Sequence, residues 1–254
     1  MSGTVYLVGA GPGAPDLVTL RAAALLGRAD IVFYDALVHP DTVALAARAR
    51  TVAVGKRCGR HSTAQRFISK QLVDAAADYA VVVRLKGGDP MLFGRAQEEI
   101  AALEAAGVRY EVVPGVTAAL AASAELGIAL TQRGSVRTIA FATPRVGDGA
   151  APNDWANSVV AADSGAIYMG AGQAAEIART LIAAGKPRAT PIAIVENASL
   201  PQARTIFATL ETLPGIAGAN LSGPALILIG PQYRARATAA DAAPDVAADA
   251  RRSA

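Results

Sequence analysis

The chain has 254 residues, of which 52% are hydrophobic and 18% charged, so it is not a disordered protein and has apolar mass enough for two small domains. A net charge of +3, scattered along the chain, gives no case for a nucleic-acid partner. One cysteine, Cys58, excludes an internal disulfide, and with only His39 and His61 besides, no Cys- or His-built metal site is expected.

In chain order, residues 5–8 read as a strand and 17–26 as a helix with Asp16 as its N-cap. A strand at 31–34, a proline-opened helix at 40–47 and a strand at 51–54 follow. Ser62-Thr63-Ala64-Gln65 has the spacing of a capping box and opens a helix to about 77. Then come a strand at 81–85, a helix at 96–105 ended by Gly107, and a strand at 109–113. This rhythm predicts a mostly parallel sheet covered on both faces. After the Pro114-Gly115 break the pattern gives a helix at 116–125, a strand at 138–142, a short helix at 155–160, a strand at 166–169 and a helix at 174–184. Strands at 191–195, 205–209 and 225–229 have fewer helices between them, which predicts a mixed sheet. The reading is an α/β protein with an N-terminal domain over 1–115, a C-terminal domain over 116–233 and a disordered tail over 234–254. Residues 1–4 carry no basic side chain, and no apolar run reaches the roughly 18 residues of a membrane span, so a soluble, cytoplasmic protein without a membrane partner is expected.

The chemistry-bearing segments fall where strands give way to loops. Val8-Gly9-Ala10-Gly11-Pro12-Gly13 follows the first strand, and Asp35 ends the second. That spacing resembles a dinucleotide fingerprint, but Pro12 lacks the N–H such a loop donates to a pyrophosphate. A structural turn and a ligand turn explain these glycines equally well. Arg84-Leu85-Lys86-Gly87-Gly88-Asp89-Pro90, with Arg95 and Glu98-Glu99 beyond it, lies at the end of a predicted strand. Its glycines expose backbone, Asp89 offers a carboxylate to a cationic group, and Arg84, Lys86 and Arg95 add three cations. Pro114-Gly115-Val116-Thr117, Tyr168-Met169-Gly170 and Glu196-Asn197-Ala198 occupy similar positions. Neither histidine lies near a glycine-flanked serine, which argues against a hydrolase triad.

These segments, together with Tyr34-Asp35-Ala36-Leu37-Val38 and Val54-Gly55-Lys56-Arg57, resemble the tetrapyrrole methylases over residues 4–233, and most of all those members that methylate uroporphyrinogen III. The resemblance implies two α/β domains of the tetrapyrrole methylase type with the active site in the cleft between them, and a homodimer. It implies S-adenosylmethionine as donor, with S-adenosylhomocysteine as product, and C-methylation of uroporphyrinogen III at C2 and C7 to give precorrin-2 by way of precorrin-1. It implies the methylase alone, without the dehydrogenase–ferrochelatase module that precedes it in bifunctional relatives.

By motif match it implies Asp35 as proton acceptor and Lys56 as proton donor. Cofactor positions are Pro12, Gly87, Gly88, Asp89, Leu92, Thr117, Ala118, Met169, Ala198 and Ala225; substrate positions are Arg95, Glu98 and Arg133. The sequence departs from the family's usual pattern at Gln132, at Ala198, at Thr143-Pro144-Arg145 and at Ala96-Gln97. Two other readings stand beside it: a related methylase acting on a later precorrin of cobalamin biosynthesis, and a nicotinamide-dependent oxidoreductase built on the glycine turn and Asp35.

Overall fold

A computed structural model of the chain describes residues 3–54, 65–146, 153–216 and 221–236. The chain divides into two compact units, Met1–Ala121 with Ala198–Pro201, and Ala122–Asn197 with Gln202–Ala254.

In the first unit, β1 (Thr4–Gly9), β2 (Ile31–Tyr34), β3 (Arg50–Ala53), β4 (Val81–Lys86) and β5 (Arg109–Val113) form one parallel sheet in the order β3-β2-β4-β1-β5. Its helices are α1 (Leu20–Gly27), α2 (Pro40–Ala44), α3 (Gln65–Asp78) and α4 (Ala96–Ala105). Successive strand side chains point to opposite faces. Val5, Leu7, Phe33 and Val82 therefore pack with Ile68 and Leu72 of α3 and Ile100 and Leu103 of α4. Val8, Val32, Val83 and Leu85 pack with Ala22, Leu25 and Leu26 of α1. Both faces are covered at the middle of the sheet, which is why β1 and β2 read as nearly unbroken apolar runs, whereas the edge strands β3 and β5 carry exposed polar residues. Burying a side chain such as Leu7, Leu72 or Leu103, each 0% exposed, contributes about 1.5–3 kcal/mol.

α1 begins later than the sequence reading has it. Pro15–Leu17 forms a separate 3-10 turn, ended by the extended Val18. The cap is Thr19 and not Asp16: the Thr19 hydroxyl accepts from the Ala22 N–H at 3.1 Å. The Ser62–Gln65 capping box lies outside the described residues except for Gln65 itself.

In the second unit, β6 (Ile139–Ala142), β7 (Ser164–Ile167), β8 (Pro191–Glu196), β9 (Arg204–Thr209) and β10 (Ala225–Ile229) form a sheet in the order β6-β7-β10-β8-β9. The β6–β7 pair is parallel and the other three are antiparallel, the mixed sheet expected. It packs with α6 (Trp155–Ala161), α7 (Ala174–Ala183) and α8 (Leu213–Ile216), the last unforeseen. β7 starts two residues before the predicted strand, at Ser164-Gly165. Ser and Gly have weak strand preference, but a Cβ on Gly165 would lie 3.0 Å from Val159 Cγ1, so packing against α6 requires the small residue there. Tyr168-Met169-Gly170 accordingly lies beyond the strand end. The helix α5 (Ala118–Leu126) carries the chain from one unit to the next. Residues 237–254, most of the tail, lie outside the described residues.

Candidate active site

The strands β4, β1 and β5 are neighbours, and all run in the same direction, so the segments that follow them leave the sheet side by side. The connection from β1 runs toward β2 and the one from β4 toward β5, in opposite directions along the sheet. Ligands of open α/β sheets collect at such strand ends. The Ala10 N–H donates to the Lys86 carbonyl at 2.7 Å, and Gly11 and Gly88 exchange backbone hydrogen bonds of 3.2 and 2.7 Å. A Cβ on Gly115 would lie 2.3 Å from the Gly88 carbonyl oxygen and 2.8 Å from Gly9 Cα. The three turns can close on one another only because that side chain is missing.

Asp89 clasps this arrangement. Its Oδ2 accepts from the Gly115 N–H at 2.9 Å and its Oδ1 from the Met91 N–H at 2.8 Å. The sequence reading offered this carboxylate to a cationic ligand group. In the structure each oxygen already serves a backbone amide, so its first task is to tie the 87–90 loop to the 114–115 turn. Pro12, Gly87, Gly88, Leu92, Thr117 and Ala118 surround the clasp in sequence and all remain partly exposed.

Behind these turns lies a line of buried charge. Strand alternation puts Arg84 and Lys86 on the face covered by α3 and α4, with Val83 and Leu85 on the other. Arg84 and Lys86 are each 2% exposed and Glu99 of α4 is 0% exposed. Arg84 Nη2 donates to Asp35 Oδ1 at 2.6 Å, and Arg84 Nε to Glu99 Oε1 at 3.0 Å. Lys86 Nζ donates to both Glu99 oxygens, at 3.1 and 3.0 Å, and Gln65 Nε2 to Glu99 Oε1 at 3.0 Å. Burial works against the Arg84 charge, but the carboxylates of Asp35 and Glu99 outweigh it and raise the guanidinium above its ordinary value. For Lys86 the balance is reversed: burial, then repulsion from Arg84, lower the ammonium despite the attraction of Glu99. Arg84 and Lys86 are therefore internal counter-charges, not the ligand-facing cations the sequence suggested.

Asp35 is the point where this line reaches the surface. Its side chain is 29% exposed, with Oδ1 fixed by Arg84. No hydrogen bond to its Oδ2 is formed among the described residues. A carboxylate with one oxygen anchored and the other open can take a proton from a bound molecule. Lys56, the expected proton donor, lies outside the described residues, as do Cys58 and His61.

The substrate positions Arg95 and Glu98 are paired with each other. Arg95 Nε and Nη2 donate to the two Glu98 oxygens at 2.7 and 2.8 Å, with both side chains at least half exposed. The hydrogen bond from Arg95 lowers the Glu98 carboxyl from its usual value. The sequence reading names Glu99, its neighbour, within the 84–99 segment but gives it no role there, and the structure makes it the buried partner of Arg84 and Lys86. The available signal was its position: Glu99 falls on the same helix stripe as Ala96, Ile100 and Leu103, all buried, opposite an Arg-x-Lys pair on the inward positions of a strand.

Ala198 is 8% exposed and belongs to the first unit, where the adjacent Ser199 hydroxyl accepts from the Ala14 N–H at 3.0 Å. Met169, Ala225 and Arg133 belong to the second unit. Met169 has a φ of 57° and follows β7; Ala225 opens β10 opposite Glu196. The β7–β10 register pairs Ile167 with Ile227, so its continuation sets Met169 level with Ala225 at one end of that sheet. Glu196 Oε1 holds the same end by accepting from the N–H groups of Ser222 and Gly223, at 2.6 and 2.7 Å. Arg133 is exposed on a turn closed by the Gln132–Val136 bridge.

Residues 4–214 match the family described as Tetrapyrrole (Corrin/Porphyrin) Methylases. The chain belongs to this family. It is 43% identical over 236 residues to a siroheme synthase of Azotobacter vinelandii, covering 92% of this chain and 51% of that protein. A siroheme synthase of Chromobacterium violaceum is 44% identical over 231 residues, covering 90% of this chain and 49% of the other. The methylase chain thus spans about half the length of these siroheme synthases. Among solved structures, the uroporphyrin-III C-methyl transferase of Thermus thermophilus complexed with S-adenosylhomocysteine superposes with a TM-score of 0.81 at 39% identity, covering 92% of this chain and 100% of that one. A cobalt precorrin-4 methyltransferase has a TM-score of 0.78 at 29% identity, covering 89% of this chain and 94% of that one. Family membership replaces the nicotinamide-dependent reading.

Proposed function

We propose that this methylase transfers methyl groups from S-adenosylmethionine to uroporphyrinogen III, first at C2 and then at C7, giving precorrin-2 through precorrin-1. The observation that carries the reading is the placement of Asp35, half open and anchored by Arg84, on the same sheet edge as the glycine turns. The Thermus protein, 39% identical, holds S-adenosylhomocysteine and adds support.

The strand-end turns suit such a donor. Their ligand-facing chemistry is uncharged backbone and small side chains, with a proline at position 12 and no lysine of a polyphosphate loop. A sulfonium with an amino-acid tail asks for carbonyls and close approach, which Pro12, Gly87, Gly88, Leu92, Thr117, Ala118 and Ala198 provide, with Asp89 holding the turns in place. Met169 and Ala225 are assigned by resemblance alone. When bound, S-adenosylmethionine supplies an electrophilic methyl group whose leaving thioether needs no acid. The protein's part is to hold the donor and the ring carbon within attack distance, an effect worth up to roughly 7–11 kcal/mol. Asp35 Oδ2 accepts the proton that the methylated ring must lose and passes it to solvent, and Lys56 is assigned as the proton donor where the ring's protons are redistributed, one proton being lost in net for each methyl gained.

Arg95, Glu98 and Arg133 are assigned to the substrate's carboxylates. An exposed pair like Arg95–Glu98 is worth at most about 1 kcal/mol, so a substrate carboxylate can displace Glu98 from the guanidinium fork. Homodimerisation is part of the same proposal and is read from the mass in light scattering. The deciding experiment is anaerobic incubation with S-adenosylmethionine and uroporphyrinogen III. The expected result is a precorrin-2 chromophore with two equivalents of S-adenosylhomocysteine. Turnover confined to a ring-contracted precorrin would move the assignment to a later step, and no methyl incorporation into either would reject it.

A further inference from the structure

Glu99 touches no surface, yet it binds the only described cation that holds Asp35. The charges form a line: Glu99 on α4, Arg84 on β4 between the two carboxylates, and Asp35 at the end of β2, with contacts of 3.0 and 2.6 Å. A guanidinium is a rigid plane, so the bonds from Nε to Glu99 and from Nη1 to the Leu85 carbonyl, the latter at 3.2 Å, together set where Nη2 points. Lys86 and Gln65 fix Glu99 in turn, so that with Arg84 three donor side chains hold the one carboxylate. Among the described residues, the charged groups around Glu99 are Arg84 and Lys86 from β4, and α3 contributes the uncharged Gln65. Arg95 and Glu98, on the outward side of α4, pair with each other. Among the described residues, the Asp35 carboxylate pairs with Arg84 and also attracts the Lys86 ammonium at longer range.

We infer that Glu99 is a positioning residue of the methylase site: it shares Arg84 with Asp35, so that the guanidinium orients the Asp35 carboxylate without being given wholly to it. This rests on the reading of Asp35 as the proton acceptor. A base neutralised by an undivided guanidinium is a poor base, and one without a guanidinium is poorly aimed. Glu99 sets the position between those limits. Removing its charge turns the whole of Arg84 toward Asp35 and weakens the proton acceptor.

The test is steady-state kinetics with S-adenosylmethionine and uroporphyrinogen III, as a function of pH, on Glu99→Gln, Glu99→Asp and Asp35→Asn in the full chain. Folding and donor binding are checked by titration with S-adenosylhomocysteine. Glu99→Gln is expected to lower kcat about tenfold at unchanged KM for both substrates. Its acid limb should move to lower pH, since the cation beside Asp35 is no longer divided. Glu99→Asp keeps the charge and should recover most of kcat and return the limb. If Glu99→Gln does not fold, Glu99→Asp carries the test alone: its shorter reach should lower kcat about twofold at unchanged KM with the acid limb in place, and wild-type kcat in a folded Glu99→Asp would then overturn the inference. Wild-type kcat and pH profile in a folded Glu99→Gln would overturn the inference, as would a change confined to KM. If Asp35→Asn loses turnover while Glu99→Gln keeps it, the positioning role fails and the assignment of Asp35 survives. If Asp35→Asn keeps turnover, the proton-acceptor reading falls, and the inference with it.

Discussion

Two adjacent glutamates give the sharpest stability comparison. Glu98 and Glu99 are the same residue type in the same turn of α4, and each accepts from arginine. Glu98 is 51% exposed and meets Arg95 on the surface, whereas Glu99 is 0% exposed and meets Arg84, Lys86 and Gln65. Truncating Glu98 to alanine removes a solvated i,i+3 pair and should cost at most about 1 kcal/mol. Among the described residues, truncating Glu99 leaves Lys86 buried with no carboxylate to accept from it and Arg84 with one carboxylate, Asp35, in place of two, beside the Leu85 carbonyl. Breaking a buried pair in this way costs about 3–5 kcal/mol, because the remaining charge stays desolvated. For a chain of this length that is a fall in Tm of about 6–20 °C, against at most about 4 °C for Glu98→Ala. Urea unfolding followed by far-UV circular dichroism, with calorimetry alongside, measures both. A Glu99→Leu/Lys86→Met pair should regain part of the loss, since apolar replacements carry no desolvation penalty. If Glu98→Ala and Glu99→Ala came within about 1 kcal/mol of each other, the account of the buried line as a set of mutually required charges would be wrong.

Three further outcomes are expected. The Lys86 ammonium is lowered by burial and by Arg84, so between that lowered value and the ordinary 10.5 the unfolded chain binds more protons than the folded one. The contribution of Lys86 is then complete above 10.5 and is lost as pH falls through the lowered value, giving a rise in unfolding free energy with pH that Lys86→Met should lack in a urea series across the alkaline range. Gly115→Ala would set a methyl 2.3 Å from the Gly88 carbonyl oxygen, and should cost about 1–3 kcal/mol while weakening S-adenosylhomocysteine binding by calorimetry; unchanged affinity would separate the glycine clasp from the donor site. Arg133→Ala should raise the KM for uroporphyrinogen III with kcat held, and an unchanged KM would remove Arg133 from the substrate side.

Much of the fold was legible because the signals are local. The apolar runs at 5–8, 31–34 and 81–85, each followed by glycine, a charged residue or both, announce buried parallel strands whose ends carry loops. The same reading located the Asp35 turn and the 87–95 loop, because strand ends are set by chain chemistry a few residues long. Where it erred, the exact backbone path decided. Thr19 and not Asp16 caps α1, because the 3-10 turn at Pro15–Leu17 ends before the helix begins. Ser164-Gly165 is strand because it pairs with Ile139-Ala140 of β6 and Ile229 of β10, and the glycine suits the close approach of Val159 on α6.

Composition and spacing alone thus made this an α/β chain with glycine turns at the ends of its strands and a carboxylate, Asp35, beside them. Which cations face a ligand, and which lie inside with Glu99, was settled only when α4 packed across β4. Strand alternation allows Arg84 and Lys86 either face of the sheet, and the choice rests on which helix covers which side. That is a contact between segments 13 and 15 residues apart, and its electrostatics depend on burial that no local pattern encodes.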